Sequence, residues 1–425
     1  MENHFIKTLI LGVFLCSYAL FVIFPRRRTL VAVISSIVVL LSGVIPVGEI
    51  FSVVNWNVIG IFIGTLLVAD VFMESRVPAY IAEMLINNSK NATFAILSVC
   101  IMSGLISAFV ENVATVLIIA PIVFHLAKKL EISPTKIMIS VAISSNLQGA
   151  ATLVGDPPSM LLAGFAKMNF LDFFIYKNKP GIFFAVEFGA IFSVVVLYFV
   201  FKNLKNKVRI EVEEKVEYWE PTIILILMIV SLGVSSFIDK SFSHMAGIIC
   251  ILFGIVSVIW GKVFFKNSAF RRIKNLDWDT VIFLVAIFFL VGSLTYSGWL
   301  DKIVLLVSNT VGKNVLIGYT LFVFIAVVCS GFVDNVPFLA MMLPVATGVA
   351  GKLNVSPDLF LFGLLIGASL GGNITPIGAS ANIVACGILK REGYPVNFFE
   401  FVKIGLPFTM VAIISSYFFL WFVWG

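Results

Sequence analysis

Long apolar runs separated by short polar clusters recur along the whole chain. Spanning segments are predicted at about 6–24, 30–47, 57–74, 136–165, 181–201, 220–238, 244–264, 279–298, 358–389 and 402–424, each long enough for a hydrocarbon core of about 30 Å. Two further stretches, 93–127 and 315–350, carry acidic residues near their centres and are predicted to be hairpins that return to the side they left. Amphipathic stretches at 75–90 and 299–313 are predicted to lie along the interface.

An internal repeat organises these segments. FVENVATVLIIAPI at 109–122 aligns with FVDNVPFLAMMLPV at 332–345, an offset of 223 residues. The same offset places LEISP at 130–134 on LNVSP at 353–357, and LQGAATLVGDPPSM at 147–160 on LGGNITPIGASANI at 370–383. Looser matches pair NWN at 55–57 with DWD at 277–279, and NFLDFF at 169–174 with NFFEFV at 397–402. Each half then holds an odd number of crossings, which turns the second half upside down. The expected fold class is an all-α polytopic membrane protein of two inverted repeats, each with five spanning segments (one broken) and one re-entrant hairpin. The first repeat would be 1–201, with scaffold helices in 1–74, hairpin 93–127 and broken helix 136–165. A cytoplasmic linker at 202–219 would lead to the second repeat, 220–425, with scaffold helices 220–298, hairpin 315–350 and broken helix 358–389.

Composition agrees and excludes most other classes. Of 425 residues, 60% are hydrophobic and 12% charged, with a mean hydropathy of +1.08, far from soluble domains. The net charge of +6 marks orientation in such a chain, not a nucleic-acid partner. Arg26, Arg27, Arg28, Arg76, Lys90, Lys128, Lys129, Lys136, the runs 202–215 and 262–274, Lys390, Arg391 and Lys403 would share one side, 21 of the 29 basic residues. That side is expected to be cytoplasmic in a cell (inner) membrane, with both termini outside. The N-terminal apolar run lacks a small-x-small cleavage pattern and stops at PRRR, so it is expected to be a retained anchor. Cys16, Cys100, Cys250, Cys329 and Cys386 lie singly in apolar segments and read as buried small hydrophobes, although Cys100, Cys329 or Cys386 would suit a soft ligand. No nucleophile and base stand together, no nucleotide-binding motif occurs, and no cofactor is implied.

The chemistry gathers at the interruptions. AATLVGDPPS and GNITPIGASAN cannot continue lipid-facing helices, and irregular backbone at membrane depth is tolerated only around a cavity or inside protein. Asp156 before Pro157 and Pro158 reads as a helix N-cap, and Asn335 before Val336 and Pro337 reads the same, with Asn112 and Ser380 or Asn382 as counterparts. Four half-helix N-termini would then face one region, each stabilising a nearby negative charge by about 0.3–1 kcal/mol. Inverted repeats with matching breaks point to a secondary transporter with a midplane site. Glu111, Asp156 and Asp334 are candidates to carry a proton or Na⁺, the plainer alternative being helix caps. Asn112, Asn335, Asn373 and Asn382 suit ion or substrate. Thr152 and Thr375 occupy matching loop positions, where hydroxyls also satisfy freed backbone. Gly155 and Gly378, with Gly149 and Gly372, suit tight turns and close approach. Asp70 is a lesser candidate near a span end.

FVENVATVLIIAP, GAATLVGDPPS, FVDNVPFLAMMLP and GGNITPIGASAN together resemble the paired motifs of the ion transporter superfamily. The similarity is to the permease branch with a citrate transporter-like domain that includes ArsB-type arsenite permeases, NhaD-type sodium/proton antiporters and the melanosomal P protein, and more distantly to the divalent anion/sodium symporters. The resemblance implies hairpin tips at Glu111-Asn112 and Asp334-Asn335, unwound helices at 149–158 and 372–381, and elevator-like alternating access in a homodimer. The anion symporters place Ser-Asn-Thr at each tip, whereas acidic tips here would repel a dicarboxylate. The branch's usual GDPPN reads GDPPS, with Ser159 in place of Asn. The expected function is secondary transport of a small inorganic solute or ion coupled to H⁺ or Na⁺, with Na⁺ at Glu111, Asn112, Asp334 and Asn335. An arsenite or antimonite permease, with an ATPase partner in some such pumps, or a Na⁺/H⁺ antiporter fits better than transport of another small anion, and a passive channel is the alternative of a different class.

Overall fold

The computed structural model describes residues 2–210, 215–266 and 268–425, except the side chains of Glu2, Asn3 and Arg26. Residues 211–214 of the expected linker, and the Arg26 side chain counted among its basic neighbours, lie outside the described residues. The first half runs α1 (Glu2–Ile23), α2 (Arg28–Leu41), α3 (Ile50–Val53), α4 (Trp56–Glu74), α5 (Val77–Asn87), α6 (Ala92–Ser107), α7 (Asn112–Lys129), α8 (Thr135–Gly149), α9 (Pro157–Ala166) and α10 (Ile182–Phe201). A two-stranded turn, β1 (Ile175–Tyr176) with β2 (Lys179–Pro180), precedes α10. The second half runs α11 (Glu220–Ile238), α12 (Met245–Phe264), α13 (Ala269–Lys274), α14 (Trp278–Tyr296), α15 (Trp299–Val311), α16 (Val315–Ser330), α17 (Asn335–Leu353), α18 (Asp358–Gly371), α19 (Ser380–Arg391) and α20 (Phe398–Trp424). Among the described residues nine helices are long and apolar enough to cross a membrane, or ten if α15 and α16, bent by 117°, form one span.

The repeat is visible in the element boundaries. α6 and α16, α7 and α17, α8 and α18, and α9 and α19 each begin 223 residues apart, and α4 and α14 begin 222 apart. One expected boundary is wrong: the span predicted at 30–47 stops at Leu41. Gly43 with φ +68° and Pro46 end the helix, because neither a left-handed residue nor proline extends an α-helical ladder. Cys16 is also exposed, not buried as expected.

Packing interleaves the two halves. α7 and α8 pack against α19, while α17 and α18 pack against α9, so each restarted half-helix lies against the opposite half. The backbones on either side of the break thereby converge on one centre. Two further pairs, α4 with α12 and α2 with α14, stand beside it.

Small residues set the α4–α12 contact, as expected where lipid gives helices no hydrophobic incentive to associate and close backbone approach must do so. A Cβ added at Gly60 would stand 3.0 Å from the Gly247 Cα, and one at Gly64 would overlap the backbone carbonyl of Cys250. Backbone cannot yield as a side-chain end can. Gly64→Ala is therefore expected to destabilise the protein by about 1–3 kcal/mol, read as a lower thermal midpoint in detergent; an unchanged midpoint would refute this contact.

Candidate functional site

All four restarted N-termini line one cavity of about 250 Å³. Its wall includes Glu111, Asn112 and Val113 at the start of α7, Asp156, Pro157 and Pro158 at the start of α9, Asp334, Asn335 and Val336 at the start of α17, and Ala379, Ser380 and Ala381 at the start of α19. The remaining polar wall comes from Arg28, Asn146, Asp277, Thr280 and Ser369.

The caps sit one residue earlier than two of the sequence assignments. Glu111, not Asn112, caps α7 and accepts from the Ala114 amide at 3.1 Å. Asp334, not Asn335, caps α17 and accepts from the Val336 amide at 2.9 Å. Asp156 caps α9 as expected, accepting from the Ser159 amide at 3.1 Å and its hydroxyl at 2.8 Å. α19 begins after Ala379 with no side-chain cap, so neither Ser380 nor Asn382 has that role. A carboxylate at the cap leaves the following Asn free to turn elsewhere. Asn112 does so, its Oδ1 accepting from Ser107 Oγ at 2.5 Å.

The loop residues divide between the cavity and its support. Thr152 donates to the Ala108 carbonyl and Thr375 to that of Gly331 at 2.5 Å, so both hydroxyls fasten the broken helices to the neighbouring turns, and neither lines the cavity. A Cβ at Gly155 would overlap the Gly149 carbonyl oxygen, and one at Gly378 would stand 2.5 Å from that of Gly372, so both glycines permit close backbone crossing. Asn373 and Asn382 are fully buried beneath the wall. Asn382 Nδ2 donates to the Gly372 and Thr375 carbonyls at 3.0 and 2.9 Å, and Asn373 Nδ2 to the Ile143 carbonyl at 3.1 Å. Ser159 spends its hydroxyl on Asp156 and on the Gly149 carbonyl.

Three wall features escaped the sequence reading. Arg28, read only as a loop charge, forms an ion pair with Asp334; its guanidinium also lies 4.9 Å from the Phe283 ring centre and 3.4 Å from Thr280 Oγ1. Asp277 caps α14, accepting from the Thr280 amide at 3.1 Å and from Thr280 Oγ1 at 2.6 Å. Asn146 donates to Asn373 Oδ1 at 2.9 Å and Asn382 Oδ1 at 2.8 Å, tying α8 to the second half. Among the described residues its own Oδ1 has no hydrogen-bond partner, and neither has Ser369 Oγ. Positions 146 and 369 are repeat equivalents and both line the cavity. A buried unpaired polar atom costs about 1–3 kcal/mol, and these two stand at equivalent places in the wall.

Asp70 lies elsewhere. It pairs with Arg272 of α13, which also binds Glu74, beside a separate cavity. Cys100, Cys329 and Cys386 are absent from the central wall.

Charge decides what this cavity suits. Four carboxylates, Glu111, Asp156, Asp277 and Asp334, face one guanidinium. Four N-termini together supply about 1–4 kcal/mol, whereas one ionised group at membrane depth costs about 2.5 kcal/mol or more. Arg28 neutralises only one of the four. Among the described residues, Glu111 and Asp156 face no second cation in this wall, and Asp277 is exposed to solvent.

The citrate transporter family profile matches residues 18–367, and again 277–424. The chain belongs to the citrate transporter family. Its curated relatives include an uncharacterized transporter of Mycobacterium tuberculosis, 27% identical over 97% of this chain and 98% of that protein. The P protein of Homo sapiens is 25% identical over 93% of this chain and 57% of that longer protein. Among solved structures, the YdaH transporter of Alcanivorax borkumensis aligns with a TM-score of 0.63 at 16% identity, covering 90% of this chain and 87% of that one. MtrF of Neisseria gonorrhoeae, from a class described as antimetabolite efflux pumps, gives 0.55 at 14% identity over 90% and 83%. This citrate transporter family member is therefore a multi-pass membrane transporter, with a fold also found in YdaH and MtrF.

Proposed function

We propose that the protein is a secondary active transporter of a small inorganic solute or ion, coupled to H⁺ or Na⁺ bound among Glu111, Asp156 and Asp334. The observation that carries this reading is the excess of carboxylates over cations around one small cavity, together with two unpaired polar atoms in its wall. Asn112 and Asn335 follow the capping carboxylates and can complete a cation's oxygen shell.

Alternating access draws support from an asymmetry between the halves. The site cavity opens beside the N-termini of α2 and α14, at Arg28, Asp277 and Thr280. The repeat-equivalent region beside α4 and α12 holds a larger cavity of about 700 Å³, lined by Asn55, Asn57, Ser243 and His244 and by neither hairpin turn. In this reading α6–α7 and α16–α17 are re-entrant hairpins that move with the broken helices between these two regions. α2, α4, α12 and α14 then form the scaffold, in an inverted-repeat carrier of the inner membrane with both termini outside.

Within this class, arsenite or antimonite extrusion and Na⁺/H⁺ exchange suit the acidic wall. Transport of a small carboxylate is the second reading, favoured by Arg28, the four N-termini and the family's description; it requires the solute's charge to be cancelled by protons or a co-bound cation. Uptake of arsenite, Na⁺ and citrate into proteoliposomes under an imposed pH gradient separates them. Uphill accumulation of arsenite or Na⁺ driven by that gradient is expected. Accumulation of citrate alone would establish the second reading, and flux that never runs uphill would make the protein a channel.

A further inference from the structure

A second polar site lies outside the central cavity. Glu187 is on α10, five residues after its start, which places it about 7.5 Å along the helix axis. Its neighbours Phe188, Ile191 and Phe192 are exposed apolar residues of the same helix. Glu187 takes part in no ion pair among the described residues. It lines a side cavity of about 150 Å³ between α6, α8, α10 and α20, and Gln148 lines the same cavity. Besides Glu187, Cys100 of α6 is the only titratable wall residue among the described residues; α8 supplies Ser144, Leu147 and Gln148, and α20 supplies Phe408.

Gln148 reveals which form of the carboxyl fits. It is 7% exposed, and its Oε1 has no hydrogen-bond partner among the described residues. A carboxylate is only an acceptor and leaves that oxygen unpaired, whereas a carboxylic acid can donate its O–H to Oε1 while accepting from the amide N–H₂. The neutral acid thus satisfies both groups, and the ionised acid adds an uncompensated charge in a largely apolar wall.

We propose that Glu187 and Gln148 form a proton-binding site that reports to the broken helix of the first half. Uptake of one proton from the aqueous phase converts the carboxylate to the acid and closes the acid–amide pair. Gln148 occupies the last turn of α8, next to Gly149, whose carbonyl accepts from Ser159 Oγ at 3.2 Å; the same hydroxyl binds Asp156 at 2.8 Å. Protonation at Glu187 therefore bears on the end of α8 and, through Ser159, on the central wall. Gly371 stands at the position equivalent to Gln148, so the second half lacks this device. The link to transport rests on the proposed function; the proton site itself does not.

Infrared difference spectroscopy of the full-length protein in lipid at neutral pH tests the site. The difference between wild type and Glu187→Gln should contain the carbonyl stretch of one neutral carboxylic acid, and Gln148→Leu should shift that band by removing its partner. A difference spectrum without the band overturns the site. In the proteoliposome assay, Glu187→Gln should move the pH of half-maximal uptake by about one unit or more, and an unmoved profile overturns the link to transport. Should Glu111→Gln and Asp334→Asn leave coupled transport intact, the infrared band would still stand or fall alone.

Discussion

Arg28→Gln is expected to cost about 3 kcal/mol of stability, and the double variant Arg28→Gln with Asp334→Asn to recover most of it. Arg28 and Asp334 are 19% and 23% exposed, so each is largely desolvated and each answers the other's charge. Removing one partner strands the other, whereas removing both replaces a buried ion pair with neutral groups of similar size. Full burial would place the loss towards 5 kcal/mol; the residual exposure of both partners holds it at the lower end. Thermal unfolding of the four purified proteins forms a double-mutant cycle. A double variant no more stable than Arg28→Gln would remove the ion pair from the account.

The same pair carries a functional consequence. Arg28 belongs to α2, and Asp334 caps α17 at the second hairpin turn. If Asp334 binds the coupling cation, Arg28 is a tethered competitor that neutralises the empty site. Tyr18 of α1 reinforces the contact by donating to the Pro337 carbonyl at 2.7 Å. Without the guanidinium, added Na⁺ should stabilise the single variant more than wild type, because a ligand stabilises the folded state according to its occupancy.

Much of this design is legible in the sequence. Apolar length gave most helix boundaries, and the 223-residue offset named the breaks and the acidic turns. The convergence of four N-termini could be inferred because Gly, Pro and Asp interrupt matching segments at equivalent places. Cap identity was harder: Glu111-Asn112 and Asp334-Asn335 each offer two adjacent cap formers, and only backbone dihedrals choose between them. Arg28 was hidden by its neighbours, because PRRR reads as a topology signal and nothing local shows that one arginine turns inward. Asn146 and Ser369 sit in runs where polar residues usually satisfy backbone, and their unpaired atoms exist only once helices from both halves meet. Glu187 is hidden for a related reason: its equivalent in the repeat carries no acid, so the repeat does not single it out.

Coupled transport by the carboxylate variants tests the central claim most directly. Proteoliposomes holding wild type, Glu111→Gln or Asp334→Asn are to be compared for solute accumulation driven by an imposed pH or Na⁺ gradient, with folding checked by thermal unfolding. Wild type should accumulate solute against its gradient, and each variant should fall to the level of empty liposomes while remaining folded. If both folded variants accumulate solute as wild type does, these carboxylates only cap their helices and the coupling ion binds elsewhere.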